Sequence, residues 1–138
     1  MINFWQAGLL VLTLLTSPKG DNVEGVWKPT QIELAGTPLP EAAFDKWRLE
    51  LRKGKYTLTG AESPDSGTYA FDESKKPKTM DVTGVDGPNK GKTFPCIYEL
   101  DGDTLRICYD LSLKERPKEF KTTRQTRLYL VTYQREKK

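Results

Sequence analysis

The chain has 138 residues, 30% charged and 36% hydrophobic, with 3 Trp, 6 Tyr and 5 Phe, enough for one globular domain with a core and unlike a disordered composition. It contains no histidine, which excludes Ser-His-Asp and Cys-His machinery and zincin-type metal sites, and removes the ordinary physiological pH switch. The net charge of +3 is uneven, because residues 114–138 hold nine Lys/Arg against three Glu; with no nucleic-acid motif beside it, that excess reads as a solvated final strand with a basic end.

Residues 1–17 carry no charge, and the run from Leu9 to Leu15 is almost wholly apolar. It is too short to span a bilayer and suits the apolar region of a secretory leader. No Lys or Arg precedes it, however, and no small-x-small cleavage site is clear before Pro18. The other reading is an apolar N-terminal helix packed on the domain. The expectation is a leader-like segment over 1–17, then one domain over 18–138, in a periplasmic or extracellular protein. If 1–17 is not a leader, the protein is cytoplasmic. No cysteine lies near the segment, so a lipid anchor on an N-terminal Cys is excluded, and no transmembrane span is expected.

After residue 20, short alternating runs are separated by turn signals, the pattern of an all-β chain. The first run, over 26–34, contains an oddity: Trp27 sits two residues after Gly25 and two before Pro29, while Ile32 and Leu34 lie on the opposite parity. One extra residue near Pro29–Thr30 brings all of them to one face, and proline is tolerated at bulges. The stretch "LPEAAFDK" (39–46) suits a short helix near 40–46. In "WRLELRKGKYTLTG" a two-residue turn at Lys53-Gly54 sets Leu51 opposite Tyr56 and Leu49 opposite Leu58. The runs 66–72 and 78–85 place Gly67, Tyr69, Phe71, Met80 and Val82 inward. In "FPCIYELDGDTLRICYD" a turn at Gly102-Asp103 pairs Leu100 with Leu105, Tyr98 with Ile107, Cys96 with Tyr109 and, outside, Glu99 with Arg106. Cys96 then faces in and Cys108 out, so two free thiols are expected. With a last strand over 126–135, this makes eight sequential strands. An eight-stranded antiparallel up-and-down β-barrel, which leaves no open edge, is the expected fold; a two-sheet sandwich is the alternative.

In such a barrel Trp27 plugs the base, Gly25 lets the chain turn beside it, and the last strand brings Arg135 or Arg127 over the indole. Gly25-Val26-Trp27 resembles the G-x-W element that opens lipocalins and related calycins. More widely, "GVWK", "KKPKTMDVTGVDGPNKGKTFPCIYELDGDTLRICYD" and "ERPKEF" resemble a small lipocalin-like domain found in many copies in planctomycete bacteria, over nearly all of 23–135. The resemblance implies the barrel and export. It supplies no catalytic residue, since that family has no established activity. The chain differs from longer lipocalins in having an irregular excursion over 112–125 where they carry a long helix.

The candidate ligand-binding residues are Trp47, Leu49, Tyr56, Tyr69, Phe71, Met80, Phe94, Tyr98 and Tyr109, all of inward parity, and the candidate base residues are Gly25, Trp27 and Arg135. Eight strands either pack solid or hold one small ligand. A filled interior is stable without a ligand, at about 1.5–3 kcal/mol per large buried side chain, and the residue set tips slightly toward it. Buried tyrosines, whose hydroxyls need partners, keep the cavity reading open. "DGPNKGK" (86–92) lacks the features of a phosphate loop and reads as a turn. Asp101 and Asp103 flank a turn glycine without calcium-loop spacing. Arg116 in "ERPKEF" reads as a loop anchor. Glu33, Glu50 and Glu62 show no spacing that makes a catalytic pair, with Glu33 and Glu50 expected in solvent. The sequence therefore points to a non-enzymatic, monomeric barrel without metal or cofactor that binds a small hydrophobic molecule. The alternative is a filled module of the cell envelope that presents loops 60–66, 86–92 and 112–125 to a protein partner.

Overall fold

Period-two alternation commits each run to one inner and one outer face, and the computed structural model, which describes residues 20–137, rolls those faces into a tube. The leader-like segment 1–17 lies outside the described residues. The strands are β1 (Gly25–Leu34), β2 (Thr37–Pro38), β3 (Arg48–Arg52), β4 (Lys55–Thr59), β5 (Asp65–Asp72), β6 (Lys78–Asp86), β7 (Thr93–Asp101), β8 (Thr104–Asp110) and β9 (Leu128–Arg135). Eight of them form the wall, all antiparallel and in up-and-down order, and β1 pairs with both β3 and β9 to close it. The two-residue β2 is a short return ladder on the upper end of β1.

The hairpin registers are those the alternation predicts. Leu51 pairs with Tyr56 and Leu49 with Leu58 around a turn whose Lys53 and Gly54 both have positive φ, as a two-residue hairpin of this twist requires. In the β7–β8 hairpin, Cys96 pairs with Tyr109, Tyr98 with Ile107 and Leu100 with Leu105, and Glu99 meets Arg106 in an outer-face ion pair of 2.7 Å. Both cysteines are free.

The predicted bulge is present. Pro29 pairs with Tyr133 but Gln31 with Thr132, so Thr30 is the extra residue. Trp27, Pro29 and Ile32 are all buried as a result. Trp27 is fully buried at the base. Its indole N–H donates to the Val23 carbonyl at 2.9 Å, and the Arg135 guanidinium lies 4.4 Å over its ring, worth about 0.5–2 kcal/mol. Arg135 also reaches Asp103 Oδ1 at 2.9 Å and the carbonyls of Asn22 and Glu24. Gly25 is required here twice over. Its φ is +142°, and a Cβ on it would lie 3.0 Å from an Arg135 nitrogen.

The predicted helix near 40–46 is a single 3-10 turn, Glu41–Ala43. Only residues 41–47 separate Pro40 from the start of β3 at Arg48. Phe44, just after it, is buried at 2% exposure and tilts against Trp47. Residues 111–127 are irregular, as expected, and pack against the outer wall. Asp110 organises their start by accepting from Ser112 N and Oγ, Lys114 N and Glu115 N. Arg116 anchors the next turn on the carbonyls of Met80 and Cys96 and on Asp81. Phe120 lies under the Arg106 guanidinium. On the outer face of the β7–β8 ladder, Cys108 and its cross-strand partner Ile97 are fully or almost fully buried. Among the described residues no helix is long and apolar enough to cross a membrane.

Candidate functional site

Strand direction sorts the loops between two ends. Residues 20–24, the turns at 53–54 and 102–103 and the loop 73–77 lie at the base around Trp27. Segments 35–47, 60–64, 87–92 and 111–127 lie at the other end, the mouth. The mouth is less tightly closed. β1 and β3 pair only from Gly25 to Trp27, and above that level the free edge of β1 meets the β2 return and the Leu39 N–H, which donates to the Ile32 carbonyl at 2.9 Å.

Inside the tube, open toward the mouth, lies a cavity of about 660 Å³. That is within the roughly 300–1,000 Å³ of small-molecule sites. The interior is therefore not filled, contrary to the slight preference drawn from composition. The side chains point inward as expected, but their summed volume, invisible to parity, leaves space in the tube that opens at the mouth. Of the predicted ligand-binding residues, Trp47, Leu49, Tyr56, Tyr69, Met80, Phe94 and Tyr109 line this space.

Phe71 and Tyr98 do not line it. The Tyr98 hydroxyl donates to Asp21 Oδ2 at 2.9 Å, which draws the ring toward the base. Phe71 meets Tyr98 edge-on at 5.9 Å and is 37% exposed beside Asp21 and Asn22. Alternation assigned these two the correct face but not their height along the tube. Lys78 completes this basal cluster with an ion pair of 2.8 Å to Asp21. Burial raises the Asp21 pKa, but hydrogen bonds from Lys78 and Tyr98 outweigh it and hold the carboxyl below its ordinary value.

The sequence reading missed several lining residues. Tyr129 and Tyr133 of β9 join Tyr109 in an aromatic wall. The hydroxyls of Tyr109 and Tyr133 are 3.0 Å apart, and the rings of Tyr109 and Tyr129 are 5.5 Å apart. Burial pushes the Tyr129 phenol up to about 12 and raises those of Tyr109 and Tyr133 as well. The wall is thus neutral at physiological pH, with hydroxyls that donate as well as accept.

By sequence Asp65 falls in the expected loop 60–66. It opens β5 instead, is 8% exposed and borders the cavity. Tyr56 donates to its Oδ1 at 2.9 Å and the Asn89 amide to its Oδ2 at 3.0 Å. Burial first, then Asp65, raises the Tyr56 phenol and keeps it a donor. Asn89 comes from the "DGPNKGK" loop, which is a turn as expected. The N–H groups of Lys90, Gly91 and Lys92 are spent on carbonyls of Gly87, Gly84 and Asn89, so they do not form a phosphate cradle. Gly84 allows this fold-back, since a Cβ there would sit 2.1 Å from the Asn89 carbonyl oxygen. Pairing of Tyr56 with Gly67 and of Leu58 with Asp65 was in principle derivable from the hairpin order. The Asn89 contact had no signal in the sequence.

The remaining candidates resolve simply. Arg116 is a loop anchor. Asp103 serves Arg135 and Lys137. Glu33 is half-buried, not in solvent, and accepts the Thr122 hydroxyl of the excursion. Glu50 is also only partly exposed and pairs with Arg52 at 3.0 Å. Glu62 stands at the mouth. Among the described residues no group of three or more Cys, Asp or Glu side chains is placed to hold a metal ion. Comparison of the chain with protein-family models, with curated proteins and with solved structures returned no match.

Proposed function

We propose that this barrel is a binding protein for one small, largely apolar molecule. The observation that carries the reading is the cavity of about 660 Å³ that opens at the mouth, walled by Leu49, Leu58, Met80, Phe94 and a set of tyrosines. Apolar walls with a few convergent polar groups are the usual form of a ligand site, and an eight-stranded barrel is wide enough for one such guest. The likeness of Gly25-Val26-Trp27 and its arginine partner to the lipocalin base supports the same reading. The reading includes no enzymatic step, in keeping with the absence of histidine. The leader-like segment 1–17 supports export to the periplasm or beyond, with a monomer as the working unit.

Titration of the purified protein with N-phenyl-1-naphthylamine, which brightens in apolar surroundings, tests this. Saturable uptake of one probe per chain is expected. A flat titration, or uptake without saturation, would remove the cavity as a binding site. The rival reading is an envelope module that presents loops 60–66, 86–92 and 112–125 to a protein. It draws on the gathering of these segments at one end and on the exposure of Leu113 there. It would be favoured if probe uptake failed while loop substitutions abolished capture of an envelope protein.

A further inference from the structure

Apolar walls hold a guest without orienting it, and one wall residue has the chemistry to do so. The buried polar or charged side chains among the described residues are Asp65, Asp110 and Thr122. Asp110 is saturated by four donors from its own loop. Thr122 bridges Glu33 and Gly36. Asp65 differs from both in bordering the cavity.

Each oxygen of Asp65 accepts one hydrogen bond, from Tyr56 and from Asn89. Each of those oxygens keeps capacity for a further donor. Both donors are neutral, and none of the ion pairs among the described residues involves Asp65. Buried carboxylates are ordinarily balanced by a cation. The two cationic side chains on the cavity lining, Lys92 and Arg127, are not that partner. Rings of Trp47, Tyr69 and Phe94 line the same space, and aromatic faces attract positive charge.

We infer that Asp65, held by Tyr56 and Asn89, is the headgroup site for a cationic amine, so that the guest is an amphiphilic amine with its apolar body along the tyrosine and leucine walls. The inference rests on the proposed binding cavity and adds the sign of the ligand's charge.

The test is displacement of bound N-phenyl-1-naphthylamine at pH 7 by decylamine, decanol and decanoate, three chains of equal length that differ in headgroup. Decylamine is expected to displace the probe at roughly tenfold lower concentration than decanol, as a charge-assisted hydrogen bond implies, with decanoate the weakest. Asp65→Asn should bring decylamine to the level of decanol. Lys92→Met leaves the carboxylate in place and should preserve or increase the amine preference. The wild-type comparison decides the matter even if Asp65→Asn does not fold: decylamine no better than decanol overturns the inference. Equal displacement by all three would do so while leaving the cavity intact. Failure of the probe to bind at all would remove the cavity and the inference together.

Discussion

The two ends of this barrel are built from similar side chains to opposite effect. At the base, the groups around Trp27 have partners. Trp27 is capped by Arg135 and hydrogen-bonded to Val23, and Tyr98, Asp21 and Lys78 form a closed polar cluster. In the cavity, Trp47 and the tyrosines of β8 and β9 line open space, and Asp65 has only neutral donors. Aromatic content therefore does not distinguish core from site. What distinguishes them is whether the neighbouring strands deliver enough volume and enough partners at the same height.

The comparison holds that the base carries stability and the mouth carries binding, and substitutions can break it. The largest effect is expected for Trp27→Ala, at about 3–5 kcal/mol of unfolding free energy, read as a lowered urea midpoint. A loss under about 1 kcal/mol would mean that the base is not a keystone. Next is Asp110→Ala, which removes a charged acceptor from four donors and should cost about 1.5–3 kcal/mol, though it lies toward the mouth. The same residue has a pH signature. Burial raises its pKa, but hydrogen bonds from Ser112, Glu115 and Lys114 win and hold it below 3.8. A depressed carboxylate contributes fully above its unfolded pKa, so this stability should disappear as pH falls from about 4 through the lower folded value. In Asp110→Ala the acid limb of the stability curve should be shallower.

Arg135→Gln, which removes the cation over Trp27 and its bond to Asp103, should cost about 1–2 kcal/mol and leave probe uptake unchanged. The smallest stability change is expected for Leu58→Trp, within about 1.5 kcal/mol, because the added ring enters existing space. Yet that variant should lose most uptake of N-phenyl-1-naphthylamine. Large destabilisation with uptake retained would reverse the assignment of roles.

Much of the base was legible in the chain. The parity conflict between Trp27 and Ile32 called for a bulge near Pro29–Thr30, and Thr30 is that residue. The hairpins at 53–54 and 102–103 followed from alternation and turn chemistry, because a one-residue slip would expose Leu49, Leu51, Tyr98 and Leu105 together. The mouth was less legible. Asp65 belongs to an eight-residue strand, but it follows a serine- and proline-containing loop and looked like part of it. Cys108 faces outward as alternation requires, yet it is buried with its thiol pushed up to about 11, chiefly by desolvation. Only the path of the excursion across β8 explains that.

The linear chain determined the face each side chain takes, the hairpin registers and the need for a bulge in the first strand. These depend on near neighbours, on turn geometry and on a buried face that tolerates no slip. Tertiary structure alone decided how far up the tube each inward ring sits, how much space the rings leave, and that Asn89 folds back onto Asp65. Those outcomes depend on the summed volume of eight strands and on contacts between loops far apart in sequence, which no local pattern records.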